Sequence, residues 1–292
     1  MSYETVTAGG KKGLGANDMK NRLNRRIRSL VFASIAPILL PVTSPAAHAE
    51  QLTVAAAADL TFAFKDIGAQ FEKQTGETLR ISYGSSGNFF AQIKNGAPYD
   101  VFFSADVQYP EKLEGAGLSE PGSIYEYAAG RIVLWELDSS KVDLSRGFGA
   151  LLDPDVHKIA VANPEHAPYG RAAIAALRHE GVYDRIKGKI VMGEDIAQTA
   201  QFVQSGNADV GIVALSLALA PPMRSRGRYA EIPVSDYPPI IQAAVIIKTS
   251  SHKELARRFL DFMKEPPTVA QMAQFGFVAP SAIASGAAMT PH

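Results

Sequence analysis

Short apolar runs alternate with segments of helical periodicity along most of this 292-residue chain. The run 52–58 is a strand candidate, because it is apolar, short and flanked by polar residues. After it, Leu60, Phe64, Ile67 and Phe71 are spaced as the residues on one face of a helix. Strands that alternate with helices predict an α/β fold with a largely parallel sheet.

The same alternation occurs in two parts of the chain, before residue 105 and after residue 131. Further strands are predicted at 79–83, 100–104, 132–135, 158–162, 189–192, 209–213 and 240–248, and further helices at 88–95, 169–180, 195–205, 252–264 and 268–274. Two α/β units are therefore expected. The chain has no cysteine, which excludes disulfides, zinc–thiolate sites and cysteine nucleophiles.

Residues 1–49 have the layout of a secretory signal. Five basic residues follow Met19, an apolar run covers 30–40, and small residues surround His48. The apolar run is too short to span a bilayer, and its prolines disfavour a buried helix. We therefore expect translation to start at Met19, cleavage after Ala49 and a periplasmic mature protein.

Charge sets further limits on the partners of the mature chain. Without residues 1–49, 22 Lys and Arg stand against 27 Asp and Glu. A mildly acidic protein gives no reason to expect nucleic-acid binding, which depends on concentrated basic residues. We expect a monomer with a flexible tail at 281–292.

Three junctions between a strand and a helix carry small or hydroxyl residues, at 57–61, 83–88 and 164–170. Helix N-termini have unpaired N–H groups and a partial positive charge. Several of them at one point would form an anion site without Lys or Arg, and Ser85 and Ser86 would add hydroxyl donors. For each junction alone, an ordinary helix cap is the alternative.

Several longer motifs carry a family resemblance. They are SYGSSG at 82–87, GAPYDVFFSAD at 96–106, NPEHAPYG at 163–170 and GEDI at 193–196, together with the run 54–61, GIV at 211–213 and FGF at 275–277. In this order they resemble the periplasmic molybdate-binding proteins of ABC transporters. The similarity covers residues from about 51 to 278.

The resemblance implies a two-lobed class II periplasmic binding protein, an α/β fold with mixed, mostly parallel sheets flanked by helices. Lobe one would comprise 51–130 plus 239–280 and lobe two 131–238, with the ligand cleft between them. It also implies capture of molybdate, or tungstate, and delivery to the permease and ATPase subunits of an importer. No cofactor and no enzyme activity are expected.

The positions matched to the family's ligand set are Ala58, Asp59, Ser85, Ser86, Tyr169 and Ile196. Two positions depart from the commonest pattern: Asp59 replaces a serine, and Ala214 replaces a tyrosine that follows the GIV strand. We expect Tyr169 to supply the missing phenol. Because a carboxylate would repel a dianion, we expect Asp59 to cap the helix at Leu60 and to offer only its backbone N–H.

Two other functions stay open at this stage. A binding protein for sulfate or phosphate would use similar donors, although sulfate is smaller and a donor-only site has no acceptor for a phosphate proton. A serine-type hydrolase built from Ser85, Ser86, His166 and Asp106 is the more remote alternative. It has no Gly-x-Ser-x-Gly motif in this chain.

Overall fold

The computed structural model describes residues 50–284 and contains two five-stranded sheets. The predicted signal peptide and the end of the predicted tail, at 285–292, lie outside the described residues. The first sheet contains β1 (Gln51–Ala57), β2 (Thr78–Gly84), β3 (Val101–Ser104), β4 (Tyr125–Gly130) and β10 (Ile240–Ile246). The second contains β5 (Ile132–Leu137), β6 (Ile159–Ala162), β7 (Ile190–Gly193), β8 (Val210–Ala214) and β9 (Gly227–Glu231).

Both sheets follow one topological plan. The strand orders are β2-β1-β3-β10-β4 and β7-β6-β8-β5-β9. In the first sheet β1 pairs in parallel with β2 and β3, and in the second β6 pairs in parallel with β7 and β8. Thus β2 lies on one side of β1 and β3 on the other. In the second sheet, β7 and β8 lie on opposite sides of β6 in the same way. Such a switch of direction opens a crevice at the carboxyl ends of the strands, where α/β proteins bind ligands.

Helices follow most strands. They are α1 (Thr61–Thr75), α2 (Ser86–Lys94), α3 (Gln108–Gly115), α4 (Pro168–His179), α5 (Tyr183–Ile186), α6 (Ile196–Gln204), α7 (Leu215–Ala218), α8 (Pro221–Arg224), α9 (Lys253–Lys264), α10 (Pro266–Gln274) and α11 (Pro280–Ala284). A 3₁₀ turn at Ala58–Leu60 joins β1 to α1. We call the elements around the first sheet the first lobe and those around the second sheet the second lobe.

The two-lobed α/β architecture predicted from the sequence is confirmed, with three differences in detail. Each sheet has two antiparallel pairings beside its two parallel ones, so the parallel share is smaller than predicted. The sequence prediction missed six short elements, namely β4, β9, α3, α5, α7 and α8. Residues 281–284 of the expected tail belong to the helix α11, Pro280–Ala284, and the flexibility of the tail stays a prediction. The residue bounds given for the lobes stay a prediction.

Aromatic rings hold the core of the first lobe together. Phe259 of α9 lies edge-on to Phe64 and Phe71 of α1 and to Phe103 of β3, with ring centroids 6.0, 5.0 and 5.5 Å away. All four rings are at most 1% exposed. These contacts join α1 and α9 to the sheet, and they fix the position of the turn that precedes α1. Within residues 50–284, no helix is both long enough and apolar enough to cross a membrane.

We expect Phe259→Ala to lower the free energy of unfolding by about 3 to 5 kcal/mol, the usual cost of removing a buried aromatic ring. Urea unfolding followed by circular dichroism measures the change. Val269→Ala is the control, because Val269 is 46% exposed and should shift the unfolding free energy by less than about 0.5 kcal/mol. A loss below about 1 kcal/mol for Phe259→Ala would contradict the assigned role of the cluster.

Candidate functional site

A small cavity lies where the two lobes meet, at the carboxyl ends of β1, β2, β6 and β7. It has a volume of about 10 Å³, far smaller than the roughly 300 to 1,000 Å³ of sites for drug-sized ligands. All six residues predicted from the sequence line it: Ala58, Asp59, Ser85, Ser86, Tyr169 and Ile196. The structure therefore brings together residues that are up to 138 positions apart in the sequence.

Four helical segments begin at this cavity. They are the 3₁₀ turn at Ala58, α2 at Ser86, α4 at Pro168 and α6 at Ile196. The side chains of Ser85 and Asp195 cap α2 and α6 by accepting hydrogen bonds from backbone N–H groups. The remaining first-turn N–H groups and the helix dipoles favour an anion at this point. Among the described residues, no Lys or Arg lines the cavity.

Ser86 is placed to donate a hydrogen bond. Its side chain is 1% exposed, and its Oγ accepts a hydrogen bond from the Ala105 N–H at 2.9 Å. This contact fixes the hydroxyl oxygen and leaves the hydroxyl proton for a further acceptor. Ser86 can therefore direct an O–H group at an anion in the cavity.

Asp59 does not take the role predicted for it. Its carboxyl group makes no helix-cap hydrogen bond, so the predicted cap is wrong. Instead, Oδ2 accepts hydrogen bonds from the Tyr169 hydroxyl at 2.8 Å and from the Gln242 side-chain amide at 2.7 Å. Oδ1 is buried without a hydrogen-bond partner in the described structure. A helix cap uses local N–H groups, whereas these two partners come from α4 and β10.

Tyr169 also differs from its predicted role. Its hydroxyl donates to Asp59 and accepts a hydrogen bond from Gln242 at 2.9 Å. A phenol has a single proton, so in this structure Tyr169 has none left to donate to an anion. Its position at the first turn of α4 leaves its backbone N–H as the group that can face a ligand.

Two residues of this network were not among the predicted site residues. Gln242 lies in the otherwise apolar strand β10 and is fully buried. The Tyr127 hydroxyl of β4 donates to Gln242 Oε1 at 2.6 Å, which orients the amide nitrogen of Gln242 towards Asp59 and Tyr169. A single polar residue in a buried apolar strand was the signal for Gln242. The sequence held no comparable signal for Tyr127.

Burial dominates the electrostatics of the network. It raises the pKa of Asp59 from its ordinary value of 3.8 to about 6, although the hydrogen bonds from Gln242 and Tyr169 act in the opposite direction. Burial, followed by the nearby charge of Asp59, raises the pKa of Tyr169 and of Tyr127 well above 10. Both phenols therefore keep their protons at neutral pH.

Other contacts between the lobes close the cleft around the cavity. The Gly87 N–H donates to the His166 carbonyl at 2.9 Å, and the Arg171 guanidinium pairs with Asp106. A Cβ atom at Gly87 would lie 2.6 Å from the His166 Cβ, so only glycine allows this approach. The structure is thus that of a closed molecule.

The groups of the imagined hydrolase are not assembled. Ser85 and Ser86 make the contacts described above, and Asp106 pairs with Arg171. The nearest charged partner of His166 is Glu194, at 3.5 Å from Nε2. The described residues thus contain no serine–histidine–aspartate chain of hydrogen bonds.

Away from the cavity, His179, Glu180 and Asp236 have possible metal-ligand atoms within 4.8 Å of one another at the far end of α4.

Two α/β lobes that close on a small cavity at the carboxyl ends of their strands define the class of periplasmic binding proteins. Comparison with known proteins narrows this class. The model of the family "Bacterial extracellular solute-binding protein" matches residues 52–278. The chain belongs to this family of solute-binding proteins.

Its relatives include two proteins named for molybdate. The molybdate-binding protein ModA of Rhodobacter capsulatus is 39% identical over 246 residues, which cover 84% of this chain and 95% of the relative. ModA of Azotobacter vinelandii is 40% identical over 233 residues, covering 80% and 91%. The solved structure of the periplasmic molybdate-binding protein of Azotobacter vinelandii superposes with a TM-score of 0.74 at 39% identity, covering 78% of this chain and 99% of the other.

The raised pKa of Asp59 makes a prediction about stability without ligand. An acid whose pKa is higher in the folded state lowers the free energy of unfolding, because the unfolded chain ionises more readily. The loss develops between about pH 4 and pH 6 and remains in full at higher pH. A shift of about two pKa units corresponds to about 3 kcal/mol at pH 8. Asp59→Asn removes this penalty. Its effect on the unfolding free energy should therefore be more favourable at pH 8 than at pH 4.5 by about 2 kcal/mol.

Urea unfolding of the parent protein and the variant at both pH values measures this difference. Asp138→Asn, at an exposed position, is the control and should show the same small effect at both. An effect of Asp59→Asn that does not change with pH would contradict the raised pKa.

Proposed function

We propose that this protein captures molybdate in the periplasm and delivers it to the membrane permease of an ABC importer, which an ATPase subunit drives. The observation that carries the proposal is the convergence of four helix N-termini and the Ser86 hydroxyl on a small closed cavity without a basic residue among those that line it. Its molybdate-binding relatives support the choice of ligand. The ligand contacts would be hydrogen bonds to the oxygen atoms of the anion rather than bonds to its metal.

Neutral donors suit a ligand that must be released again. Each N–H or O–H group that bonds to a charged oxygen contributes about 1.5 to 3 kcal/mol. The donors come from both lobes, so that all of them reach the anion only when the cleft is closed. Opening the cleft therefore weakens binding, as delivery to a permease requires.

The molybdate-binding relatives support a large tetrahedral oxyanion. Molybdate and tungstate have nearly equal dimensions, so we propose that the site accepts both. Sulfate and phosphate have shorter bonds and would leave part of the donor set unpaired. We further propose that the protein acts as a monomer, exported by the signal at 19–49, and that it catalyses no reaction.

The proposal is tested by calorimetric titration of the mature protein with molybdate, tungstate, sulfate and phosphate at pH 7. We expect molybdate and tungstate to bind at least about a hundredfold more tightly than the smaller anions, because each lost hydrogen bond costs roughly tenfold or more. Tighter binding of sulfate or phosphate would identify the competing function. No binding of any of the four would overturn the proposal.

Ser86→Ala tests the donor set directly. Loss of one hydrogen bond to a charged ligand should weaken molybdate binding by about 1.5 to 3 kcal/mol, or roughly ten- to a hundredfold. Ser205→Ala, at an exposed position at the end of α6, is the matched control and should bind like the parent protein. Unchanged affinity of Ser86→Ala would show that its hydroxyl does not contact the anion.

A further inference from the structure

Asp59 combines three properties that no other residue of the cavity shares. Its side chain is 1% exposed, one of its carboxyl oxygens is held by two donors, and the other, Oδ1, has no hydrogen-bond partner in the described structure. Asp59 also lines the cavity proposed to hold the anion. Burying a carboxyl oxygen without a hydrogen bond lowers the stability of the folded protein, so a partner for Oδ1 is expected.

The elements packed around Asp59 supply no positive charge. Tyr169 faces it from α4 and Gln242 from β10, while Tyr127 of β4 acts through Gln242. Ser216 of α7 donates to the Asp59 backbone carbonyl. The other carboxyl group that lines the cavity is that of Asp195, which caps α6. An ionised Asp59 beside a bound dianion would therefore place like charges in a closed space with no cation among the residues that line it.

A proton resolves both problems. We propose that the site binds its tetrahedral oxyanion together with one proton, which lies between Asp59 Oδ1 and an oxygen of the ligand. Asp59 is thus a specificity-determining residue of the anion site. For an oxyanion without a proton, such as molybdate, the ionised carboxylate takes up one proton from the buffer acid as the anion binds, and the neutral acid then donates a hydrogen bond to the anion.

This inference rests on the proposed function. It also changes the expected reason for the exclusion of phosphate. A site composed only of donors would reject a protonated oxyanion, because the proton would find no acceptor. Ionised Asp59 provides that acceptor, so a hydrogen phosphate ion could share its own proton with Oδ1. Discrimination against phosphate then depends on cavity size rather than on the absence of an acceptor.

The pKa of Asp59 places the pH dependence of anion affinity in a range of pH where binding can be measured. Burial raises the pKa of Asp59 to about 6 in the unliganded protein, and the charge of a bound dianion raises it further. Below pH 6 the acid is already protonated, and the affinity should change little with pH. Above pH 6 each bound anion requires the uptake of a proton, and the apparent affinity should fall about tenfold per pH unit.

The test is calorimetric titration of the parent protein with molybdate at pH 6, 7 and 8, each in two buffers of different ionisation enthalpy. We expect uptake of close to one proton per anion at pH 8, and an affinity about fiftyfold weaker at pH 8 than at pH 6. Because this measurement uses the parent protein, it does not depend on the folding of a variant.

The variant Asp59→Asn tests whether Asp59 is the residue that takes up the proton when the anion binds. Its side-chain amide has the shape of the neutral acid and an N–H group in place of the shared proton. The variant should bind molybdate with an affinity that changes by less than about twofold between pH 6 and pH 8, without proton uptake. Asp138→Asn, the exposed control, should retain the pH dependence of the parent protein.

The outcomes separate this inference from the proposed function. Molybdate binding that is independent of pH and takes up no proton would overturn the inference and leave the function in place. A pH dependence that persists in Asp59→Asn would also overturn it, and its loss in Asp195→Asn instead would assign the proton to the other acid. If the parent protein binds molybdate at none of the three pH values, both proposals fail.

Discussion

The hydrogen bonds that Tyr169 and Gln242 donate to one oxygen of Asp59 join three distant parts of the chain. Asp59 follows β1, Gln242 lies in β10, and Tyr169 begins α4 of the second lobe. The hydrogen bond from Tyr169 to Asp59 crosses the cleft and so contributes to its closure. Oδ2 of Asp59 accepts both hydrogen bonds, and Oδ1 is left without a partner in the described structure.

Topology explains why the site lies at this point. Each sheet changes direction at its central parallel strand, β1 in one lobe and β6 in the other. The helices that follow these strands and their neighbours therefore begin at the same edge, and the two edges face each other across the cleft. A small anion is the ligand that such a convergence of dipoles favours, and no basic side chain is needed to hold it.

Sequence reasoning identified most of the strands, the longer helices and six of the residues that line the cavity, because these depend on local patterns. Hydrophobic spacing marked α1, and small residues after a strand marked the turn at Ala58 and the start of α2. It failed for the Asp59 carboxyl group and the Tyr169 hydroxyl. Their partners lie between 73 and 183 residues away, and local pattern contains no information about such distances.

The error at Asp59 has a physical explanation. Repulsion between a carboxylate and a dianion correctly excludes an ionised side chain facing the ligand. It does not exclude a protonated one, and burial raises the pKa of Asp59 to about 6, so that protonation becomes possible within two pH units of neutrality. A carboxyl group in this position behaves as a donor whose strength depends on the pH, whereas a serine or an asparagine would donate at every pH. If the proposed anion site is correct, an aspartate in place of a serine at position 59 makes anion binding depend on pH.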